Sequence, residues 1–362
     1  MRAAARSAIL ISGFYGFGNI GDDAVLAGMV QSLRARLGSV PLIVLSADPG
    51  STAAAYEVEA VDRTALPAIL SAMRRSRLLL SGGGSLLQDV TSARSAVYYL
   101  GVLRLAQIMG LRTMVYAAGL GPLRRPVIRS LVRRVLDRTD AVAVRDADSA
   151  ARVRALGTRR GPILTADPAV LLSPAEGARA ESLLRILGAD TPIIGVVVRP
   201  WGNSAFVEPL AEALLTVAQR LGARVVVLPF HPALDLPVSR RLADASGGVL
   251  VEQPPQPAEA LALIARVHVL VALRLHALIF AAAAGVPPVG LAYDPKVTAL
   301  HRDLEIESPL PLDADAGALA EAIERAWESR EALRPALLAG ATRLRARAEA
   351  AVVEAVRLYG AV

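Results

Sequence analysis

Short, almost wholly apolar runs alternate along this chain with longer runs in which apolar residues return every three or four positions. The short runs read as strands: Ala8–Ser12, Pro41–Ser46, Arg77–Ser81, Thr113–Ala117 and Ala141–Val144, then Ile163–Thr165, Ile193–Val198, Arg224–Leu228, Gly248–Val251, Val267–Val271 and Pro288–Leu291. The longer runs read as helices, among them Asp23–Leu37, Ala93–Met109, Pro126–Asp137, Ala178–Leu187, Glu208–Leu221 and Ala258–Ala265. Strands that are continuously Val-, Ile- and Leu-rich, rather than alternating, are buried on both faces. A parallel sheet covered by helices on each side buries them that way. Right-handed crossovers then make the layout a doubly wound α/β fold.

The alternation runs twice. Residues 1–172 are expected to form one Rossmann-like domain, 173–191 a connector, and 192–312 a second Rossmann-like domain. Residues 313–362 form an Ala-, Arg- and Glu-rich helical segment. Two such domains facing across a cleft, at the carboxyl ends of their sheets, are the architecture of the GT-B glycosyltransferases. That layout alone names no reaction.

Composition narrows the class. With 362 residues, 54% of them hydrophobic, the chain can bury two cores. It has no cysteine, which excludes disulfides, a thiolate nucleophile and a Cys-based zinc site and fits the cytoplasm. The basic start is followed by Gly13–Gly21 where a signal peptide needs an apolar core. The most apolar stretch, Leu261–Tyr293, is broken by Arg266, His268, Arg274, His276 and Pro287-Pro288, so no membrane span is expected. The net charge of +7 is carried by arginine. Arg125, Arg129 and Arg133 line one face of a predicted helix, within a run that also holds Arg124, Arg134 and Arg138. That face is either simply solvated or drawn to anionic lipid or a diphosphate-bearing substrate. It lacks interleaved aromatics, so nucleic acid is not an expected partner.

The candidate chemistry lies at strand ends. Arg274 and His276 fall between a strand and a helix, and Lys296, the only lysine among the 40 basic residues, follows shortly after. Cationic groups at the carboxyl end of a strand and the start of a helix suit a small, highly charged anion. A bound dianion favours a protonated imidazole at His276, while the helix start opposes it. His268 reads as structural, His301 as a surface residue on a helix, and His231 as part of a rigid loop near the cleft.

Gly13–Leu26 reads GFYGFGNIGDDAVL, a glycine loop opening a helix. Gly16 and Gly18 permit a tight turn and close approach of a ligand. The spacing matches neither a dinucleotide fingerprint nor a P-loop. Asp22 and Asp23 either cap the helix or accept a sugar hydroxyl. Ser81–Asp89, SGGGSLLQD, is a second glycine loop. Its Gly83 and Gly84 either allow two backbones to cross or line the cleft, and Gln88 and Asp89 suit hydroxyl recognition. Arg145 ends a strand, and either faces the cleft or pairs with Asp146 or Asp148. Arg199 and Trp201 take the equivalent place in the second domain, a position that suits a sugar or an anion.

GFYGFGNIGDDAVL, SGGGSLLQD, the Arg274–Leu275–His276 triplet and Tyr293–Lys296 (YDPK), in this order, resemble the polysaccharide pyruvyl transferases, most closely the branch acting on bacterial secondary cell-wall polymers. The resemblance runs from about residue 8 to residue 300. It implies a GT-B-like fold and a reaction in which phosphoenolpyruvate gives its three-carbon unit to two hydroxyls of one sugar, as a cyclic ketal, releasing phosphate. It implies a lipid-diphosphate-linked N-acetylmannosamine acceptor, a cytoplasmic enzyme peripheral on the inner face of the plasma membrane, and a product that anchors S-layer proteins. Under it, His276 is the catalytic acid, and Arg274, Leu275, Arg145 and Lys296 bind the donor, with the second domain as the donor side and the first as the acceptor side. Gly16, Gly18, Asp22, Asp23, Gly83, Gly84, Gln88, Asp89 and Arg199 fall to the acceptor. No metal and no cofactor beyond the donor substrate are expected. The alternative on the same architecture is a nucleotide-sugar glycosyltransferase.

Overall fold

The computed structural model describes residues 6–89, 93–187 and 191–360. The chain divides into two compact units. Unit 1 takes the chain up to Phe17, then Val25–Leu171 and the stretch from Leu344 onward; unit 2 takes Gly18–Ala24 and Leu172–Arg343. Of the connector expected at 173–191, residues 188–190 lie outside the described residues.

Unit 1 alternates β1 (Ala8–Ser12), α1 (Ile20–Leu37), β2 (Leu42–Ser46), α2 (Pro49–Tyr56), β3 (Glu59–Asp62), α3 (Leu66–Arg75), β4 (Ser76–Gly82), α4 (Ala93–Ile108), β5 (Arg112–Ala118), α5 (Pro126–Leu136), β6 (Ala141–Val144), α6 (Ala147–Ala155) and β7 (Ile163–Leu164). Its strands form one parallel sheet in the order β3-β2-β1-β4-β5-β6-β7. In β1, every residue is buried, with Ile9, Leu10 and Ile11 wholly enclosed. Each such side chain contributes roughly 1.5–3 kcal/mol relative to exposure, which is why the central strands are apolar without alternation. α5 shows the opposite pattern: Ile128, Val132, Val135 and Leu136 face the core, while Arg125, Arg129, Arg133 and Arg134 are exposed beside an exposed Val127.

Unit 2 alternates α7 (Ala178–Leu187), β8 (Ile193–Val197), α8 (Val207–Leu221), β9 (Arg224–Val227), α9 (Pro232–Ser246), β10 (Val249–Leu250), α10 (Pro257–Ile264), β11 (Val269–Ala272), α11 (Leu275–Ala284), β12 (Pro288–Ala292), α12 (Pro295–Leu304), β13 (Leu310–Pro311) and α13 (Ala316–Glu328), and α14 (Arg330–Gly360) begins in it. The parallel sheet order is β10-β9-β8-β11-β12-β13. β11 lies between β8 and β12, pairing Ala272 with Val197 and with Gly290. In each unit the strand order reverses beside the first strand, between β1 and β4 and between β8 and β11. The carboxyl ends at such a reversal are where open α/β sheets bind ligands.

Several expectations change. β3 is an edge strand whose sequence, EAVD, is half polar and partly exposed, so it carries no continuous apolar run. The helical tail is not a separate segment. α13 sends Leu319, Ala322 and Ile323 into the core of unit 2, and from Leu344 α14 belongs to unit 1, where Tyr359 Oη donates to the Ser7 carbonyl at 2.7 Å. His301, read as a surface residue, is 3% exposed. Its ring fills the room left by Gly290, where an added Cβ would stand 2.3 Å from Nε2, and its Nδ1 is 2.6 Å from the Glu307 carbonyl. Burial holds its imidazole below the ordinary range. No helix among the described residues is long and apolar enough to cross a membrane.

Candidate active site

Four strand ends in unit 2 carry the candidate residues. β9 leads to His231, β8 to Arg199 and Trp201, β11 to Arg274 and His276, and β12 to Tyr293 and Lys296. The backbone bond from Leu273 N–H to the Val197 carbonyl, 2.9 Å, keeps the ends of β8 and β11 side by side just before Arg199 and Arg274 diverge. Arg274 is the N-cap of α11, followed by Leu275 and His276 in the first turn. First-turn N–H groups have no partner within their own helix, so this end attracts anions. The Leu275 side chain is buried, which leaves its main chain as the part suited to a ligand.

Arg274 does not stand alone. Its Nε donates to Asp235 Oδ2 at 3.0 Å and its Nη2 to Asp235 Oδ1, a bidentate pair with a fully buried carboxylate. Asp235 lies in the first turn of α9 and also accepts the His231 backbone N–H at 2.9 Å. The carboxylate therefore sets the orientation of the guanidinium and offsets its charge. Sequence reading missed Asp235. It looks like an ordinary first-turn acid, and nothing local marks its reach to a residue 39 positions away.

The imidazole of His276 lies against Gly21. A Cβ at Gly21 would fall 2.1 Å from Nδ1 and 2.7 Å from Cγ. The Gly18–Ala24 segment belongs to unit 2, and Ile20 N–H donates to the Phe230 carbonyl at 2.9 Å. Glycine at position 21 is thus needed for space. Asp22 and Asp23 occupy the first turn of α1, where Asp22 accepts the side-chain amide of Asn19. Both carboxylates are half-buried and belong with the His276 unit.

Lys296 and Arg199 meet at Tyr293. Lys296 Nζ and Arg199 Cζ each lie 5.0 Å from the Tyr293 ring centroid, and Arg199 Nη1 donates to its hydroxyl at 3.4 Å. Lys296 Nζ is also 3.6 Å from Asp294, the N-cap of α12. Arg199, expected on the acceptor side, therefore stands with a residue expected on the donor side.

The remaining expected residues lie in unit 1. Arg145 follows β6 and is buried. Its guanidinium contacts Asp146 and Asp167, each at 3.4 Å, and donates to Ser85 Oγ at 3.0 Å. The ion-pair reading of Arg145 therefore holds with Asp146, and Asp167 is a partner that sequence reading did not include. Asp89, read as a hydroxyl acceptor, spends both oxygens on the main chain: Arg124 N–H at 2.8 Å and Arg125 N–H at 2.7 Å. These bonds, the one from Arg124 foremost, hold its carboxyl below the usual range. Gln88 packs against Gly121, where a Cβ would stand 2.3 Å from its own Cβ. The glycine loop after β4 crosses β5 closely: Gly83 N–H donates to the Tyr116 carbonyl and Gly119 N–H to the Gly84 carbonyl. At Gly83, with φ of +78°, a Cβ would also meet Val25 at 2.5 Å. Gly16 is as tight, 2.1 Å from Ser46 Oγ, whereas Gly18 faces open space. Most of these glycines thus have a packing reason of their own.

A sequence model of the polysaccharide pyruvyl transferases matches residues 19–295, from the Gly18–Ala24 segment to the start of α12. The chain belongs to the polysaccharide pyruvyl transferase family. No curated protein matches it. Among solved structures, the fold is shared by the MnaA protein of S. aureus in its UDP co-structure, at a TM-score of 0.64 and 12% identity over 92% of this chain and 91% of that one. The UDP-GlcNAc 2-epimerase of Neisseria meningitidis bound to UDP-GlcNAc has a TM-score of 0.63 and 12% identity over 97% of this chain and all of its own. A UGT transferase of Siraitia grosvenorii in complex with UDP has a TM-score of 0.60 and 11% identity, covering 97% and 99%. At such identities the likeness is one of fold, and this pyruvyl transferase has a GT-B fold with two parallel sheets, of 7 and 6 strands.

Proposed function

We propose that this pyruvyl transferase moves the three-carbon unit of phosphoenolpyruvate onto a sugar as a cyclic ketal, with release of phosphate. The acceptor in this reading is an N-acetylmannosamine of a lipid-diphosphate-linked cell-wall polymer precursor. The observation that carries the reading is the family match, within which Arg274 and His276 follow β11 at the strand-order reversal of unit 2; Lys296, one residue past the match, opens α12 after the neighbouring β12.

The chemistry proceeds in steps that these residues suit. Phosphoenolpyruvate carries a phosphate and a carboxylate, both matched by fixed cations and first-turn N–H groups. The protonated His276 gives its proton to the methylene carbon, leaving an oxocarbenium-like centre at the carbon that bears the phosphate. One sugar hydroxyl forms a C–O bond to that centre. The C–O bond to phosphate then breaks, and the second hydroxyl closes the ketal. Of the two hydroxyl protons released, one restores His276 and the other leaves with phosphate or solvent. Cations fixed before the reaction stabilise the departing phosphate without reorganising. In this reading Leu275 contributes its main chain, and Asp22 or Asp23 holds a hydroxyl or orients the imidazole.

The test is phosphate release from phosphoenolpyruvate, with and without an N-acetylmannosamine-containing lipid-diphosphate disaccharide. Acceptor-dependent release, with a product heavier by one pyruvyl unit, supports the proposal. No release with a verified acceptor, together with turnover of a UDP-sugar, refutes it in favour of glycosyl transfer.

A further inference from the structure

Tyr293 stands at the carboxyl end of β12 with a cation at its ring from each of two elements. Arg199 Cζ and Lys296 Nζ lie 5.0 Å from its centroid, and Trp201 meets it edge-on with centroids 5.0 Å apart. Arg199 Cζ is also 5.6 Å from the Trp201 ring. Aromatic residues are 4% of this chain, and one of its two tryptophans is here, 39% exposed. Two rings at one guanidinium are therefore not a by-product of an aromatic-rich core.

The charges differ in how they are offset. Arg274 has the Asp235 carboxylate, and Lys296 has Asp294 at 3.6 Å. Arg199 has no carboxylate within ion-pair distance among the described residues, and its buried Nε has no hydrogen-bond partner among them. It is held by ring faces and a phenol. A ring face orients a guanidinium but does not cancel its charge, because the attraction is to a quadrupole and not to a counter-ion. Two cations at one ring, with a single carboxylate between them, leave positive charge for a ligand. The pairing of β11 with both β8 and β12 brings these loops together.

We infer that Tyr293 and Trp201 hold Arg199, together with Lys296, as a two-cation cradle for a phosphate dianion. Resting on the proposed function, that dianion is the phosphoryl group of the donor and the inorganic phosphate it becomes. Arg199 is then a donor contact rather than an acceptor contact, and Tyr293 is a positioning residue. The same chemistry would fit the diphosphate of a lipid-linked acceptor, so the experiment must separate the two sources.

Binding of inorganic phosphate to the full chain, by calorimetry, is measured for the wild type, Arg199→Gln, Tyr293→Leu and Tyr293→Phe. Loss of one charged hydrogen-bonding group should weaken phosphate binding by about tenfold or more in Arg199→Gln. Tyr293→Leu should weaken it in the same direction, and Tyr293→Phe should rescue most of it because the ring face remains. In turnover, Arg199→Gln should raise KM for phosphoenolpyruvate and leave the acceptor KM unchanged. Unchanged phosphate affinity in Arg199→Gln, or a wild type that binds no phosphate, overturns the cradle. A rise in the acceptor KM alone overturns the donor assignment and gives Arg199 to the diphosphate. A wild type that binds phosphate in an Arg199-dependent way but consumes no phosphoenolpyruvate sustains the cradle and sinks the proposed reaction. The Tyr293→Phe and Tyr293→Leu pair keeps the inference open to refutation if Arg199→Gln fails to fold.

Discussion

Gly21→Ala should disable the enzyme by a single methyl group. Gly21 is in the first turn of α1 with an ordinary backbone, so alanine brings no conformational strain. In a helix it should stabilise by roughly 0.5–1 kcal/mol. The methyl, however, would fall 2.1 Å from Nδ1 and 2.9 Å from Cε1 of His276. Reaching an ordinary contact of about 3.5 Å requires ring and helix to part by ~1.4 Å. A displacement of about 1 Å at a reacting group costs on the order of a hundredfold in rate, or about 2.7 kcal/mol of barrier. The assay is acceptor-dependent phosphate release from phosphoenolpyruvate, beside thermal melts. Gly101→Ala is the control: Gly101 sits inside α4 with nothing near its missing Cβ, so that variant should keep full activity. The reasoning fails if Gly21→Ala turns over normally, or if Gly101→Ala loses as much activity.

His276→Ala should lower turnover by about a hundredfold or more with an unchanged melt, as expected of a general acid; near-normal rates remove it from the mechanism. Asp235→Ala leaves the buried Arg274 guanidinium without its carboxylate and should cost about 3–5 kcal/mol in urea denaturation, and a loss below about 1 kcal/mol would make the pair energetically idle. Burial depresses His301, and His268 to a lesser degree of enclosure, below the ordinary 6.5. The unfolded chain then takes up protons as pH falls through 6.5 while the folded chain resists. Stability is fully present above that value and declines below it. Melts between about pH 7.5 and 5.5 should show this slope, and His301→Gln should flatten it; an identical slope in the variant assigns the effect elsewhere. Replacing the exposed Arg125, Arg129 and Arg133 of α5 with glutamine should weaken co-sedimentation with anionic vesicles, and unchanged binding would mean that the face is merely solvated.

Local features were legible where a local cause produces them. β1, β8 and β12 announce themselves as short aliphatic runs because a strand buried on both faces has no polar position to spare. The Arg274–His276 placement was readable too, since a strand's end and a helix's start lie within four residues there. β3 was not, because an edge strand with one wet side loses that signature.

By itself, then, the sequence determined the two α/β halves, the family and the strand ends that carry cationic groups, because propensity and apolar periodicity act over a few residues. Only the tertiary structure decided what those groups touch. It joined Asp235 to Arg274, set Gly21 beneath His276, and buried His301 where Gly290 left room. It tied Asp89 to the main chain of Arg124 and Arg125, and it gathered Arg199 and Lys296 at one ring. Each of these contacts depends on how sequence-distant elements pack. A carboxylate or glycine carries no local mark of the partner that packing will bring to it, so no reading of neighbouring residues supplies one.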